Sequence, residues 1–247
     1  MNTLLMRRLP AICLLALALG PASAAPTDFR VLTNELTEAG ELGIEMQASW
    51  ARPAGVRAAT ALQGLAELSF GLTRRWELSL QLPVSRVSGS WHGHGANLEL
   101  TFVADHDEDS GFYWGGRVEL GRNRPRGDEA FWATELRPIL GWRGGLWHLT
   151  FNPGFTAALT GNDRAVEFEP SAKLSYRLRP GLNLGMEYFA EAGEASHLRP
   201  GRDRNQLALL VMDTRVGPLE ASFGIGAGLT SASDRRVGKV LLSLPID

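Results

Sequence analysis

The sequence predicts an all-β fold, a transmembrane antiparallel up-and-down β-barrel of about 12 strands, and three observations carry that expectation. Apolar residues recur at every second position through segment after segment, the mark of strands with two chemically different faces. Beyond the first 24 residues no run of 18 uncharged apolar residues occurs. A membrane crossing would therefore be made by strands, whose backbone groups are all satisfied only in a closed barrel. The connections between segments alternate between short and long, as they do when one end of a barrel carries turns and the other carries loops.

The first element is a secretory signal, 1–24. Arg7 and Arg8 supply its positive start, 12–19 its apolar centre, and Ala22-Ser23-Ala24 a small-residue cleavage motif. The apolar centre is too short to cross a hydrocarbon layer of about 30 Å as a helix. The mature chain then begins near Ala25, with 25–40 as an N-terminal periplasmic segment and 41–247 as the outer-membrane barrel. Cys13 is the only cysteine and lies in the part removed. This excludes a disulfide, a thiolate metal site, a cysteine nucleophile and a lipidated cysteine at the boundary. Losing Arg7 and Arg8 from 25 basic residues leaves 23 against 27 acidic, so no basic surface points to nucleic acid.

The strands follow from the alternation. In 76–84, Trp76, Leu78, Leu80, Leu82 and Val84 share one face, and Glu77, Ser79, Gln81 and Pro83 the other. The same holds in 41–50, where Leu42, Ile44, Met46, Ala48 and Trp50 oppose Glu41, Glu45, Gln47 and Ser49, and at greater length in 166–178. Strands are expected at 41–50, 60–70, 76–84, 96–104, 112–120, 131–140, 146–157, 165–178, 182–190, 206–216, 219–229 and 237–246. Their short connections are 71–75, 105–111, 141–145, 179–181 and 217–218; the interleaved, mostly longer ones are 51–59, 85–95, 121–130, 158–164, 191–205 and 230–236. The short set is expected at the periplasm and the long set outside.

Aromatic residues gather towards strand ends, where amphipathic rings prefer the headgroup zone. Phe70, Trp76, Trp142, Trp147 and Tyr176 are expected in a membrane girdle at the periplasmic side, and Trp50, Trp132 and Phe155 at the outer side. With the apolar face towards lipid, the interior would be lined by Glu67, Glu77, Gln81, Glu99, Arg117, Glu119, Glu135, Arg137, Glu167, Glu169, Lys173, Arg177 and Glu187. Charges of both signs on adjacent strands can pair into ladders that fill the interior, or line a hydrated pore.

Two stretches contain metal-ligand residue types, His92-Gly93-His94 and Asp105-His106-Asp107-Glu108-Asp109. Neither has the spacing of a recognised site, so no metal and no cofactor is expected. Pairing across 158–164 would bring His148 beside Ser175 on the inner face, with Arg137 as the neighbour on the preceding strand. A serine and histidine couple is a lipid-modifying enzyme's minimum, but it lacks an acidic group to orient the imidazole. No catalytic residue is assigned.

The stretch 65–83 resembles a family of proteobacterial outer-membrane barrels labelled transporters or proteins of the MetA pathway of phenol degradation. Its mark is a strand ending in Glu-x-x-Tyr-Gly-Leu-Thr-Asp-Arg, followed by a strand ending in Leu-Pro. Here these are Glu67, Phe70-Gly71-Leu72-Thr73-Arg74-Arg75 and Leu82-Pro83, with Phe70 for the tyrosine and Arg74 for the aspartate. The likeness extends through 111–125, 131–154 and 231–240, although the chain ends Leu244-Pro245-Ile246-Asp247 where such barrels commonly end in an aromatic residue. The resemblance implies a bacterial outer-membrane location, contact with outer-membrane lipid and the barrel assembly machinery, and a passive pore or transporter for small solutes, aromatic or hydrophobic compounds among them. The alternatives are a closed structural or surface-interaction barrel, and a lipid-modifying barrel enzyme.

Overall fold

The computed structural model describes residues 28–52, 61–87, 89–107, 110–124, 129–161 and 164–246. The signal stretch, most of the first outer loop, and Glu108 and Asp109 lie outside them. The alternating segments form thirteen strands: β1 (Leu42–Arg52), β2 (Ala61–Thr73), β3 (Trp76–Val87), β4 (Ser90–Gly93), β5 (Gly95–Val103), β6 (Gly111–Asn123), β7 (Phe131–Gly144), β8 (Trp147–Ala158), β9 (Val166–Arg179), β10 (Leu182–Glu191), β11 (Asn205–Val216), β12 (Leu219–Gly228) and β13 (Arg236–Ile246). Each pairs antiparallel with its neighbours, and β1 bonds to β13 from Leu42↔Ile246 to Arg52↔Arg236. That pairing joins the first strand to the last, and with β2 on β3 and β3 on β5 it closes the sheet into a barrel, whose wall satisfies its backbone groups strand to strand.

The extra strand corrects the expectation of an unbroken loop at 85–95. β3 runs on to Val87 and turns back through Gly89, whose φ of +85° suits only glycine. β4 then pairs with the upper half of β3, and β5 with its lower half. They act as one strand interrupted at His94 and Gly95, where a Cβ would strike the Arg122 carbonyl. The wall is thus a twelve-strand barrel with an additional strand. Several strands also outrun the sequence expectation, β6 to Asn123 and β7 to Gly144 for example, because polar residues at loop ends still extend a hydrogen-bonded ladder.

All five short connections lie at one end, where β1 begins and β13 ends; the longer ones lie at the other. Alternation sends Leu68, Leu80, Leu98, Leu120, Leu136 and Leu184 outward, exposed. An apolar band that surrounds a closed barrel is a surface for hydrocarbon, since in water it would be far larger than an ordinary exposed patch.

The interior is not uniformly polar as expected. β11 is apolar on both faces, and it directs Leu207, Leu209 and Val211 inward to meet Ala51 and Val237, while Leu210 and Met212 face out. A second inner cluster joins Val103, Tyr113 and Ile139.

Candidate functional site

The thirteen charged and polar positions expected inside all fall on the inward face of their strands, alternating with exposed apolar neighbours. Register brings Glu99, Glu119 and Glu135 side by side on β5, β6 and β7, with Arg117 opposite Arg137 in the next inward row. Three carboxylates in a row would repel, and the arginines offset that repulsion. Arg117 lies 3.0 Å from Glu99 and 3.2 Å from Glu135; Arg137 grips Glu135 with two bonds of 2.6 and 2.8 Å. Across the barrel, Lys173 bridges Glu187 and Asp213. Gln81 donates to Glu67 at 2.9 Å, and Glu169 accepts from Thr156. Glu77 faces the same interior from β3, Glu167 from β9, and Arg177 is exposed near the short-turn end of β9.

The segment that sequence sets apart as periplasmic, 25–40, is packed inside the barrel in its described part, 28–40. It does so because its side chains find their partners there. At the short-turn end the Thr37 N–H donates to Glu77 at 2.6 Å, and Gly40 N–H to the Gly71 carbonyl at 2.7 Å. Further in, Leu36 and Leu32 pack on the Val103, Tyr113 and Ile139 cluster. Asn152 holds Leu32 as a strand would: its Oδ1 accepts from the Leu32 N–H at 2.7 Å, and its Nδ2 donates to the Leu32 carbonyl at 3.1 Å. Asn34 contacts His106 at 2.7 Å and accepts from Arg143 at 2.7 Å.

Arg30 is the segment's principal anchor. Its Nη1 donates to Glu45 at 2.8 Å and Glu67 at 2.6 Å, and its Nη2 lies 3.8 Å from Glu99. Asp28 completes the cage beside Arg30 and Arg117. Burial alone would push the Asp28 carboxyl up, but Arg30, Arg117 and Arg137 outweigh it and hold the group at about 2. Between these two charges, Phe29 points the opposite way. It enters the apolar cluster on β11 and β13 and meets Phe189 edge-on, with ring centroids 5.5 Å apart. Lys239 donates to the Phe29 carbonyl at 2.7 Å while it pairs with Glu187 at 2.5 Å. A small recess of about 40 Å³ remains beside Phe29, between apolar Phe189 and Leu207 on one side and Arg137 and Glu169 on the other.

The other candidates stand apart from this network. His148 and Ser175 are register partners, but His148 Nε2 is 2.6 Å from the Tyr113 hydroxyl, which also meets Thr150 at 2.7 Å. The residue of β7 opposite His148 is Arg143 rather than Arg137, because β7 runs four residues further into its turn than expected. His92 and His94 meet edge-to-face with ring centroids 5.0 Å apart at the loop end, where His94 contacts Ser85 and His92 contacts the Arg124 carbonyl. Asp105 pairs with Arg75. Among the described residues no group of three or more metal-ligand side chains forms.

On the outside, Phe70, Trp76, Trp142, Trp147 and Tyr176 lie towards the short-turn ends, and Trp50, Trp132 and Phe155 towards the loop ends. Trp76, Phe102 and Trp114 form a continuous ring contact, as do Trp147 with Tyr176 and Phe155 with Phe168.

This arrangement has solved counterparts. The barrel superposes on a crystal structure of an outer-membrane channel from Pseudomonas putida F1 with a TM-score of 0.64, covering 91% of this chain and all of that one at 14% identity. It is also similar to the KdgM porin, TM-score 0.57, and the NanC porin, TM-score 0.56, at 9% and 8% identity; each covers 83% of this chain and 99% of that porin. The shared property is the fold: a closed antiparallel β-barrel. No protein-family model matches the chain, and no curated protein sequence does.

Proposed function

We propose that the protein is a passive outer-membrane channel for small solutes that carry an aromatic or other apolar part, and that its N-terminal segment occupies the passage at rest. The single observation behind this reading is the two-sided interior around Phe29. One wall is the charged network of β1 to β7; the other is Leu207, Leu209, Val211, Val237 and Phe189. A passage for strongly hydrated solutes has no use for apolar side chains on its inner face. An apolar solute gains about 25 cal/mol for each Å² it buries against such a wall. Phe29 is itself an aromatic ring docked there, so the segment and a solute compete for one surface. The resemblance of 65–83 to proteobacterial transporter barrels supports the same substrate class.

The second reading is a closed barrel without transport, and the anchoring of Arg30 by three carboxylates favours it. Liposome uptake separates the two. An aromatic carboxylate should enter proteoliposomes faster than a sugar of similar size, and Arg30→Ala should accelerate both by loosening the segment. If neither solute moves through either protein, the closed-barrel reading replaces the channel.

A further inference from the structure

At the loop end of the barrel, Arg52 and Arg236 stand directly opposite each other on β1 and β13. Both continue the outward-facing rows, Leu42, Ile44, Met46, Ala48 and Trp50 on β1 and Ile246, Leu244, Leu242 and Val240 on β13. Both are exposed on the face that meets lipid. Like charges in directly opposed cross-strand positions destabilise a sheet unless something neutralises them. Among the described residues neither makes an ion pair, and 53–60, the stretch that follows Arg52, contains no Asp or Glu but a further arginine, Arg57. Arg235 adds a third guanidinium, and its N–H donates to the Arg52 carbonyl at 2.8 Å.

The height of the pair says what could neutralise it. The next outward pair towards the membrane is Trp50 with Gly238, and the Trp50 indole lies against the space where a Cβ of residue 238 would be. Tryptophan with an absent side chain beside it is an interfacial ring laid flat on the wall. The arginines are one outward step beyond it, about 7 Å along the strand, at headgroup depth. Elsewhere at the loop end, exposed Arg122 stands directly opposite Trp132 on the outward face, an arginine at the height of an interfacial ring.

We infer that Arg52 and Arg236 form a binding site for the phosphate of a phosphorylated lipid headgroup in the outer leaflet. Resting on the reading of the long loops as external, the assignment follows from chemistry. Two planar guanidinium groups on adjacent strands bind one phosphate through forked bonds. The apolar column below them receives the acyl chains, which a free anion does not have.

Native mass spectrometry of the full chain in detergent tests this with a diphosphoryl glycolipid of the lipid A type and its dephosphorylated form. Wild-type protein should retain the phosphorylated lipid about ten-fold better than the dephosphorylated one. R52Q/R236Q should abolish that difference, and inorganic phosphate at equal concentration should not displace the lipid. Equal retention of the two lipids by wild type, or an undiminished difference in the double variant, overturns the site; displacement by inorganic phosphate makes it a general anion site and overturns the lipid assignment. Heat-modifiable gel mobility, read on the same samples, reports the barrel separately. Loss of that behaviour in wild type would instead overturn the outer-membrane reading.

Discussion

Arg30 concentrates the charge balance of the interior. It neutralises parts of Glu45, Glu67 and Glu99 from three strands; without it Glu45 and Glu67 would stand opposite each other, and Glu99 would keep only Arg117. Removing one partner of a buried ion cluster costs about 3–5 kcal/mol when the rest cannot rearrange. Here the segment can leave instead, so Arg30→Ala should release 28–36 from the interior without unfolding the barrel. Limited proteolysis should then cut the N-terminal segment while heat-modifiable mobility persists. Asp28 gives the pH dependence. Its carboxyl is held at about 2 in the folded protein against an ordinary 3.8. A lowered folded value stabilises above the ordinary one and loses that contribution as pH falls towards the folded one. Asp28's contribution to the segment's hold should therefore be full above about pH 4 and be lost from there towards about pH 2, measurable as a rise in protease sensitivity or conductance across that window. The charged wall was legible in the sequence residue by residue, because Glu99, Arg117 and Glu135 alternate with leucine and valine. Their partner Arg30 was not, since 28–40 lacks the alternation that would assign it a place, and nothing in Asp28-Phe29-Arg30 alone says which wall each side chain will meet.

At the scale of elements, β3 and β11 show the two limits of pattern reading. β3 alternates cleanly, and its lipid and interior faces follow from the sequence. Leu80→Arg, at mid-strand on the outward face, should cost about 2–4 kcal/mol by placing a charge against hydrocarbon, read from denaturant unfolding of the reconstituted barrel. β11 has Leu207, Ala208, Leu209, Leu210, Val211 and Met212 in succession. A strand apolar on both faces cannot reveal by period which side is inside; only its pairing with β10 and β12 fixes that Leu209 faces Phe29 and Leu210 faces lipid. Leu209→Asn should leave the barrel folded and reduce the preference for the aromatic solute over the sugar in liposome uptake. An unchanged preference would mean that the apolar wall lies off the solute's path. The short β4 was hidden for a different reason: the four residues Ser90-Trp91-His92-Gly93 carry no periodic signal, and their strand character comes from the edge β3 offers them.

For the whole molecule, closure follows from the pairing of β1 with β13, and connection lengths sort the barrel into a short-turn end and a loop end. The start of β1, the end of β13 and the short turns share one end, and from there 28–40 runs back into the barrel until Phe29 meets Ala51 and Val237 near the loop end. The central claim is that this segment, and not a narrow wall, closes a channel. Single-channel recording in planar bilayers tests it most directly, comparing the wild-type protein with a variant that lacks 28–36. Wild type should show low, infrequent conductance, and the variant a several-fold larger, steady one. Silence from both proteins, with the barrel shown to be folded and inserted, would contradict that claim.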